Sequence, residues 1–150
     1  MPQLGAILAE QHTRLGASDV AGWLPTRPAW PEALGWVRER LPCVADVELA
    51  ARANAVFAMY ETLKPSESDR VLVHADVGLH NLAIDAASLA VAGLFDYDDA
   101  AWADRHYDFR YLLFDYDGND VLEAAIAVYG PSVGCSISLA RVACTTLLAR

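Results

Sequence analysis

Two carboxylates and one amide in the middle of the chain have the types and spacing needed to hold a magnesium ion. Asp76 and Asn81 lie five residues apart in the segment HADVGLHN, and Asp96 follows in the segment LFDYDD. Mg²⁺ prefers oxygen ligands at about 2.0–2.1 Å and usually takes only a few from protein, which leaves other positions to phosphate and water. The three residues therefore indicate chemistry on a phosphate, with a hydroxyl group steered toward it.

A short β-hairpin is the element that would bring these side chains together. Residues 82–85 and 89–95 are apolar runs that predict two antiparallel strands, with a turn centred near Ser88. Such a turn pairs position 81 with position 96, and neighbouring strands lie about 4.8 Å apart. We therefore expect Asn81 and Asp96 to share one end of the hairpin, next to the first carboxylate.

The rest of the pattern predicts a mostly helical chain. The apolar β-branched run Val71-Leu72-Val73 predicts a strand that delivers His74 to the loop. Helical periodicity, Pro and Gly signals and polar caps predict the remaining elements. These are helices over Gln3–Leu15, Pro31–Arg40, Asp46–Leu63, Tyr107–Phe114 and Asp120–Tyr129, a flexible loop over Gly130–Gly134, and a last helix capped by Ser136 or Ser138.

The central motif resembles that of the aminoglycoside phosphotransferase and choline-kinase-like family. The residues that carry the resemblance are the His-x-Asp-x-x-x-x-Asn run at 74–81 and the Phe95-Asp96 pair. Residues 103–109 (ADRHYDF) resemble that family's Gly-Asp-Pro-x-x-Asp-Leu segment, and residues 8–12 (LAEQH) resemble its Leu-x-x-Leu-His helix. Ala75 departs from the Gly that is common in this family. Together the matches span roughly residues 5 to 115.

The resemblance implies the C-terminal lobe of a protein-kinase-like fold, α+β and mostly helical, with a small central β-hairpin and no N-lobe. It implies ATP-dependent transfer of the γ-phosphate to a hydroxyl of a small molecule, with Mg²⁺ as the metal. Asp76 would be the catalytic base, Asn81 and Asp96 would hold the magnesium ions that bridge the ATP phosphates, and His74 would support the loop from beneath. Asp108 is expected to cap the helix that follows it, which is also a structural role.

Two features bear on the acceptor. Protein kinases usually carry Arg at the position of Ala75 and often Lys at that of Gly78, so the sequence favours a small-molecule acceptor such as an aminoglycoside or another alcohol. An acidic cluster is either a solvated face with a helix cap or a site for a cationic substrate, and it comprises Asp115, Asp117, Asp120 and Glu123. His80 is interpreted as a surface-loop histidine.

The sequence lacks the nucleotide-cradling motifs of a complete kinase. It contains no G-x-G-x-x-G, and its single lysine, Lys64, precedes Pro65 in a Ser/Glu-rich loop. We therefore expect residues 1–150 to be one domain, a fragment or truncated relative that turns over little ATP alone. Self-association through the exposed interlobe face is a further expectation, because an unpaired lobe leaves apolar surface uncovered.

Composition excludes several classes of protein. The net charge of −9 argues against nucleic-acid binding, because phosphates require Lys and Arg. Three cysteines without C-x-x-C spacing (Cys43, Cys135 and Cys144) indicate reduced thiols in a cytoplasmic protein rather than disulfides or a zinc site. No signal peptide and no apolar run of about 18 residues is present, so no membrane span is expected.

Two other functions stay open. Phe95-Asp96-Tyr97-Asp98 superficially matches the strand-end Asp-x-Asp of phosphatases with an aspartyl nucleophile, although those need a parallel α/β sheet and this sequence predicts only two or three short strands. The chain could also be a non-catalytic module that kept the motif without a nucleotide lobe.

Overall fold

The computed structural model describes residues 2–26, 34–63, 66–114 and 120–148 of the chain. Helices and short antiparallel strands make up the fold, as the α+β prediction expects. The helices are α1 (Pro2–Arg14), α2 (Ala17–Val20), α3 (Leu34–Arg40), α4 (Val47–Thr62), α5 (Asp120–Val133) and α6 (Leu139–Leu148), and the strands are β1 (Arg70–Val73), β2 (Leu82–Ile84), β3 (Val91–Leu94) and β4 (Ala101–Asp104).

The strands form two separate two-stranded sheets. Strand β1 pairs antiparallel with β4, with Val71 opposite Ala103 and Val73 opposite Ala101. This small apolar sheet is buried, and it delivers the loop that begins at His74. Strand β4 was not predicted, because the three residues before Asp104 are too few to give a clear strand signal, and two of them are alanines.

The second sheet, β2–β3, is the predicted hairpin, and its register differs from the prediction by one residue. Leu82 lies opposite Leu94, and the Phe95 N–H donates to the Asn81 carbonyl oxygen at 3.2 Å. Position 81 therefore faces position 95 rather than 96. The pairing also shifts between Ala83 and Ile84, next to a tight turn in which the Asp85 carboxylate accepts hydrogen bonds from Ser88 N at 2.8 Å and Ser88 Oγ at 2.6 Å, as in Asx turns.

The main core lies between α1, α5 and the hairpin. Gly5 of α1 lies directly over the backbone of Ala125 in α5, so close that a side chain at position 5 would meet the Ala125 carbonyl group. Around this crossing pack large buried side chains, among them Leu4, Leu8, Phe109, Leu122 and Tyr129. Leu82 and Val91 join the same cluster, so the hairpin is fixed to the helical core.

Local signals predicted several helices well. The Asp46 carboxylate accepts from the Leu49 N–H at 3.0 Å and caps α4, as expected. Ser138, one of the two predicted caps, accepts from the Arg141 N–H at 3.3 Å at the start of α6. The predicted helix over residues 107–114 is instead two 3₁₀ segments, Arg105–Phe109 and Tyr111–Leu113.

The predicted flexible loop over residues 130–134 is wrong. Helix α5 continues through Gly130 and Pro131 to Val133, and the chain turns only at Gly134, whose φ is +67°. The Cys135 N–H then returns to the Gly130 carbonyl oxygen at 3.3 Å, which closes the helix end. Pro131 removes one helical hydrogen bond on an exposed face, and that loss is too small to end a helix otherwise packed on the core.

Several sequence-based predictions lie outside the described residues: those for Pro31, Lys64, Asp115 and Asp117. Asp120 and Glu123 lie in the first turn of α5. None of the described helices is long and apolar enough to cross a membrane.

Candidate active site

The loop that follows β1 carries the first candidate carboxylate, and its backbone is held in an unusual conformation. Ala75 has a φ of +68°, in the left-handed region that favours glycine. Its N–H donates to Asp108 Oδ1 at 2.7 Å, and its carbonyl oxygen accepts from the Arg110 guanidinium. These two hydrogen bonds compensate the backbone strain of Ala75 in a conformation that glycine would adopt without strain.

Asp108 is the buried clamp of this loop and does not cap a helix as the sequence predicted. Its carboxylate is fully buried and accepts from the backbone N–H groups of His74 at 3.0 Å and Ala75 at 2.7 Å. Two side chains of α1 complete its shell, Gln11 Nε2 at 3.1 Å and His12 Nε2 at 2.9 Å. The cap of the 3₁₀ segment is instead Asp104, which accepts from the His106 N–H at 2.9 Å.

His74 joins the loop to the end of the hairpin from beneath. Its fully buried ring places Nε2 2.9 Å from the Phe95 carbonyl oxygen, and its Nδ1 accepts from the Asp76 N–H at 3.3 Å. Because Nδ1 accepts, the ring proton lies on Nε2 and donates to the carbonyl oxygen. The ring of Tyr97 packs on the imidazole with centroids 4.3 Å apart.

The Asp76 carboxylate is fixed through one oxygen and free at the other. Its Oδ2 accepts from Asn81 Nδ2 at 2.9 Å and lies 3.1 Å from His80 Nε2. Its Oδ1 is buried and has no hydrogen-bond partner among the residues that the structure describes. One oxygen is therefore held by hydrogen bonds, while the other is desolvated and lacks a partner, a state that calls for an explanation in a folded protein.

The environment of Asp76 favours the ionised form. Burial opposes the charge, but the interaction with the Tyr111 hydroxyl and then that with His80 lower the pKa of the carboxyl below its usual value. Asn81 adds a smaller hydrogen-bond contribution in the same direction. Asp76 is thus an acceptor-only group at neutral pH.

Asn81 is oriented so that its oxygen is free for a cation. It is buried, and its Nδ2 donates both to Asp76 Oδ2 and, at 3.0 Å, to the Asp76 carbonyl oxygen. The side-chain Oδ1 therefore points away from these acceptors and has the character of a magnesium ligand.

Asp96 lies at the same end of the hairpin, one residue beyond the Phe95–Asn81 hydrogen bond. Its φ is +63°, its side chain is exposed, and its carboxylate makes no hydrogen bond or ion pair with the described residues. Within the described parts of the chain, no group of three His, Cys, Asp or Glu side chains could hold a metal. A magnesium ion here would take only Asn81 and Asp96 from the protein and would depend on phosphate and water for the rest, which is how Mg²⁺ is usually bound.

Sequence reasoning missed the contacts that span long distances along the chain. Gln11 Nε2 donates to the Leu72 carbonyl oxygen, 61 residues away along the chain, and to the Asp108 carboxylate, 97 residues away. His12 Nδ1 lies 2.8 Å from the Tyr129 hydroxyl oxygen. Only the family-like LAEQH segment drew attention to them. The contact between His80 and Asp76 is local, because the two residues are four apart and the 3₁₀ segment that carries His80 begins three residues after Asp76.

The comparisons with solved structures identify a shared fold. The chain superposes on the GDP and kanamycin complex of APH(2″)-IIIa (TM-score 0.75, 21% identity, 99% of this chain and 50% of that one). It also superposes on aminoglycoside-3′-phosphotransferase of type VIII, with a TM-score of 0.67 and 22% identity over 99% of this chain and 58% of that one. A third match is the apoenzyme of macrolide 2′-phosphotransferase MphH from Brachybacterium faecium, with a TM-score of 0.71 and 18% identity over 99% of this chain and 50% of that one. The chain therefore has the fold of about half of these kinase-like proteins.

The family comparison extends over most of the sequence. A search of the curated proteins gave no match. The family model described as "Phosphotransferase enzyme family" matches residues 1–136, a span that includes the loop from His74 to Asn81, Asp96 and Asp108. The chain belongs to this phosphotransferase enzyme family.

Proposed function

We propose that this chain supplies the acceptor-activating and metal-binding part of a phosphotransferase that moves the γ-phosphate of a nucleoside triphosphate, expected to be ATP, to a hydroxyl of a small molecule. The observation that carries the proposal is the difference between the two carboxylate oxygens of Asp76. Its Oδ2 accepts hydrogen bonds, whereas its Oδ1 is buried and has no hydrogen-bond partner among the described residues. A catalytic base needs an oxygen that is positioned and desolvated, yet free to receive the substrate proton.

In this proposal each side chain has one task. Asp76 Oδ1 accepts the hydrogen bond of the acceptor hydroxyl and aims its oxygen at the γ-phosphorus. It takes the proton as the new P–O bond forms and the bond from the γ-phosphorus to the β–γ bridging oxygen breaks, which releases the nucleoside diphosphate. Asn81 and Asp96 would hold Mg²⁺, which would supply positive charge to the phosphate oxygens. His74 and Asp108 are structural supports, because their hydrogen bonds fix the backbone on either side of Ala75.

The structural relatives support a nucleotide and a small-molecule acceptor. One of them was solved with GDP and kanamycin, and a spectinomycin phosphotransferase (TM-score 0.64, 15% identity) was solved with ADP and spectinomycin. We infer an acceptor of the same chemical type, a polyhydroxylated and cationic small molecule, for which the net charge of −9 is suitable. Because the chain spans about half of these relatives and contains no Gly-rich phosphate loop, we expect residues 1–150 alone to turn over little nucleotide.

A phosphatase with an aspartyl nucleophile fits the structure poorly. Such an enzyme places its nucleophile at the end of a strand in a parallel sheet. The strand before Asp96, β3, pairs only with β2 among the described residues, and that pairing is antiparallel.

The test is phosphate transfer by the complete protein that contains this chain. The protein is incubated with Mg²⁺ and ATP or GTP together with an aminoglycoside, a macrolide or choline, and phosphorylated product is detected by mass spectrometry. We expect at least one acceptor to be phosphorylated, and we expect Asp76→Asn to lose about 10²–10⁴-fold of the rate. Asp85→Asn, in the exposed hairpin turn, is the matched control and should retain it. No transfer to any hydroxyl, or an Asp76→Asn variant as active as the control, would contradict the proposal.

A further inference from the structure

His80 is a side chain of the site to which neither the sequence pattern nor the proposed function has given a task. It lies in the one-turn 3₁₀ segment Leu79–Asn81, whose first hydrogen bond runs from the Asn81 N–H to the Gly78 carbonyl oxygen at 3.0 Å. This turn directs the imidazole back toward Asp76, four residues earlier. The His80 side chain is 61% exposed, so it lies at the mouth of the site rather than in the core.

The contact between His80 and Asp76 has a defined direction. His80 Nε2 lies 3.1 Å from Asp76 Oδ2, and an ionised carboxylate can only accept a hydrogen bond. The proton must therefore lie on Nε2. Tyr111 packs edge-on against the imidazole with centroids 6.4 Å apart and an interplanar angle of 80°, which limits how the ring can turn.

Two donors converge on the same oxygen of Asp76. Asn81 Nδ2 donates to Oδ2 at 2.9 Å, and His80 Nε2 approaches it from the exposed side. The Asn81 bond holds Oδ2 at one point, and His80 adds a second donor to a carboxylate that also interacts with the Tyr111 hydroxyl. Two donors hold its plane, so Oδ1 keeps its buried position without a described partner.

We propose that His80 is a positioning residue for phosphoryl transfer, which donates from Nε2 to Asp76 Oδ2 and thereby aims the free Oδ1 at the acceptor hydroxyl. This inference rests on the proposed function, since it assigns a task to a neighbour of the proposed base. It also explains why a histidine occupies an exposed position whose only other described contact is the edge-on packing of Tyr111. Loss of His80 should affect the alignment of the acceptor more than the nucleotide end of the site, because Asn81 keeps its second hydrogen bond, from Nδ2 to the Asp76 carbonyl oxygen at 3.0 Å.

The kinetic experiment uses the complete protein and two substitutions of His80. His80→Ala removes the donor, and His80→Gln places an amide N–H near the position of Nε2. We expect His80→Ala to lower kcat roughly tenfold, the size expected for one hydrogen bond to a charged group, with the KM for nucleotide changed less than about twofold. His80→Gln should recover most of the rate. Thermal unfolding of each variant verifies that the fold is retained.

Three kinetic results would overturn the inference. They are an unchanged kcat in His80→Ala, a His80→Gln variant no more active than His80→Ala, and a defect confined to the KM for nucleotide. The last result would assign His80 to the metal and nucleotide side instead.

A second readout separates this inference from the proposed function. If the unmodified protein phosphorylates no acceptor, the proposed function fails, and the contact itself is then tested by NMR of the imidazole nitrogens. We expect the Nε2–H tautomer for His80 and a change in its Nε2 resonance in Asp76→Asn, with little change for buried His106, which is bonded to Asp104. An unaffected His80 resonance would show that the hydrogen bond does not form.

Discussion

Replacement of Asp108 by Asn should destabilise the fold strongly, although it changes only one atom of a side chain. The carboxylate is fully buried and accepts four hydrogen bonds. An amide offers only one acceptor oxygen, so its NH₂ group must face the donors on the other side of the group. The best arrangement keeps the oxygen on the side of Gln11, His12 and the His74 N–H, and leaves the Ala75 N–H without an acceptor.

The magnitude follows from these contacts. An orphaned buried N–H costs about 1–3 kcal/mol, and each of the three bonds that changes from a charged to a neutral acceptor loses about 1 kcal/mol. We therefore expect Asp108→Asn to lower the free energy of unfolding by about 4–6 kcal/mol. Since whole domains have only about 5–15 kcal/mol of stability, this is a large fraction of the total.

The assay is urea-induced unfolding followed by far-UV circular dichroism. The free energies of unfolding are compared between variants that have the same slope of free energy against urea concentration. Glu10→Gln is the matched control, because it makes the same carboxylate-to-amide change in an exposed ion pair with Arg14. That pair should contribute no more than about 1 kcal/mol. An Asp108→Asn variant within about 1 kcal/mol of the unmodified protein would refute the role of Asp108 as the clamp of the loop.

Two further predictions concern packing and pH. Gly5→Ala should destabilise the fold by about 1–3 kcal/mol, because the added methyl group would lie 3.0 Å from the Ala125 carbonyl carbon and closer to its oxygen. Gly35→Ala in α3, which has open space around it, should instead stabilise the fold by about 0.5–1 kcal/mol. Thermal unfolding measures both variants, and equal effects would contradict the close approach of α1 and α5. Burial opposes ionisation of Asp104, but the hydrogen bonds from His106 and the charge of Arg141 lower its pKa. Its ionised form therefore stabilises the fold above the unfolded-state value of about 3.9, and that contribution is lost as the pH falls through the lower folded-state value. Asp104→Asn should therefore be less stable than the unmodified protein at pH 7, with a difference that shrinks below about pH 4; urea unfolding as a function of pH tests this, and a difference independent of pH would contradict it.

The elements that were predicted correctly are those encoded by neighbouring residues. The hairpin follows from two apolar runs around the polar turn at Asp85–Ser88, and α4 follows from an apolar periodicity that begins after the cap Asp46. The mostly helical fold class and the family resemblance are confirmed by the architecture and by the family match over residues 1–136.

The features that were missed depend on partners far along the chain. Strand β4 forms because Ala101 and Ala103 fit against β1 some 30 residues earlier, a pairing with no local signal. Asp108 was predicted to cap a helix because a carboxylate before an apolar run usually does, whereas its partners lie 33 to 97 residues away. The helix through Pro131 shows the same effect, because packing on the core outweighs one lost hydrogen bond.

The roles of Asn81 and Asp96 as metal ligands and of Asp76 as the base remain predictions, although the geometry distinguishes them. The Asp76 carboxylate has a free oxygen in a buried position, while the Asp96 carboxylate is exposed at the end of the hairpin. A neutral amide at position 96 should weaken binding of a hard cation, and excess cation should compensate. A neutral amide at position 76 removes the proton acceptor, which no cation can replace.

The most direct test is a magnesium titration of the steady-state phosphate-transfer rate in the complete protein, with Asp76→Asn and Asp96→Asn compared with the unmodified sequence. We expect Asp96→Asn to require more Mg²⁺ for half-maximal rate and to recover partly in excess Mg²⁺. We expect Asp76→Asn to keep a normal Mg²⁺ requirement with a kcat reduced about 10²–10⁴-fold at every concentration. Equal recovery of both variants, or recovery of neither, would contradict the assignment of base and metal ligand.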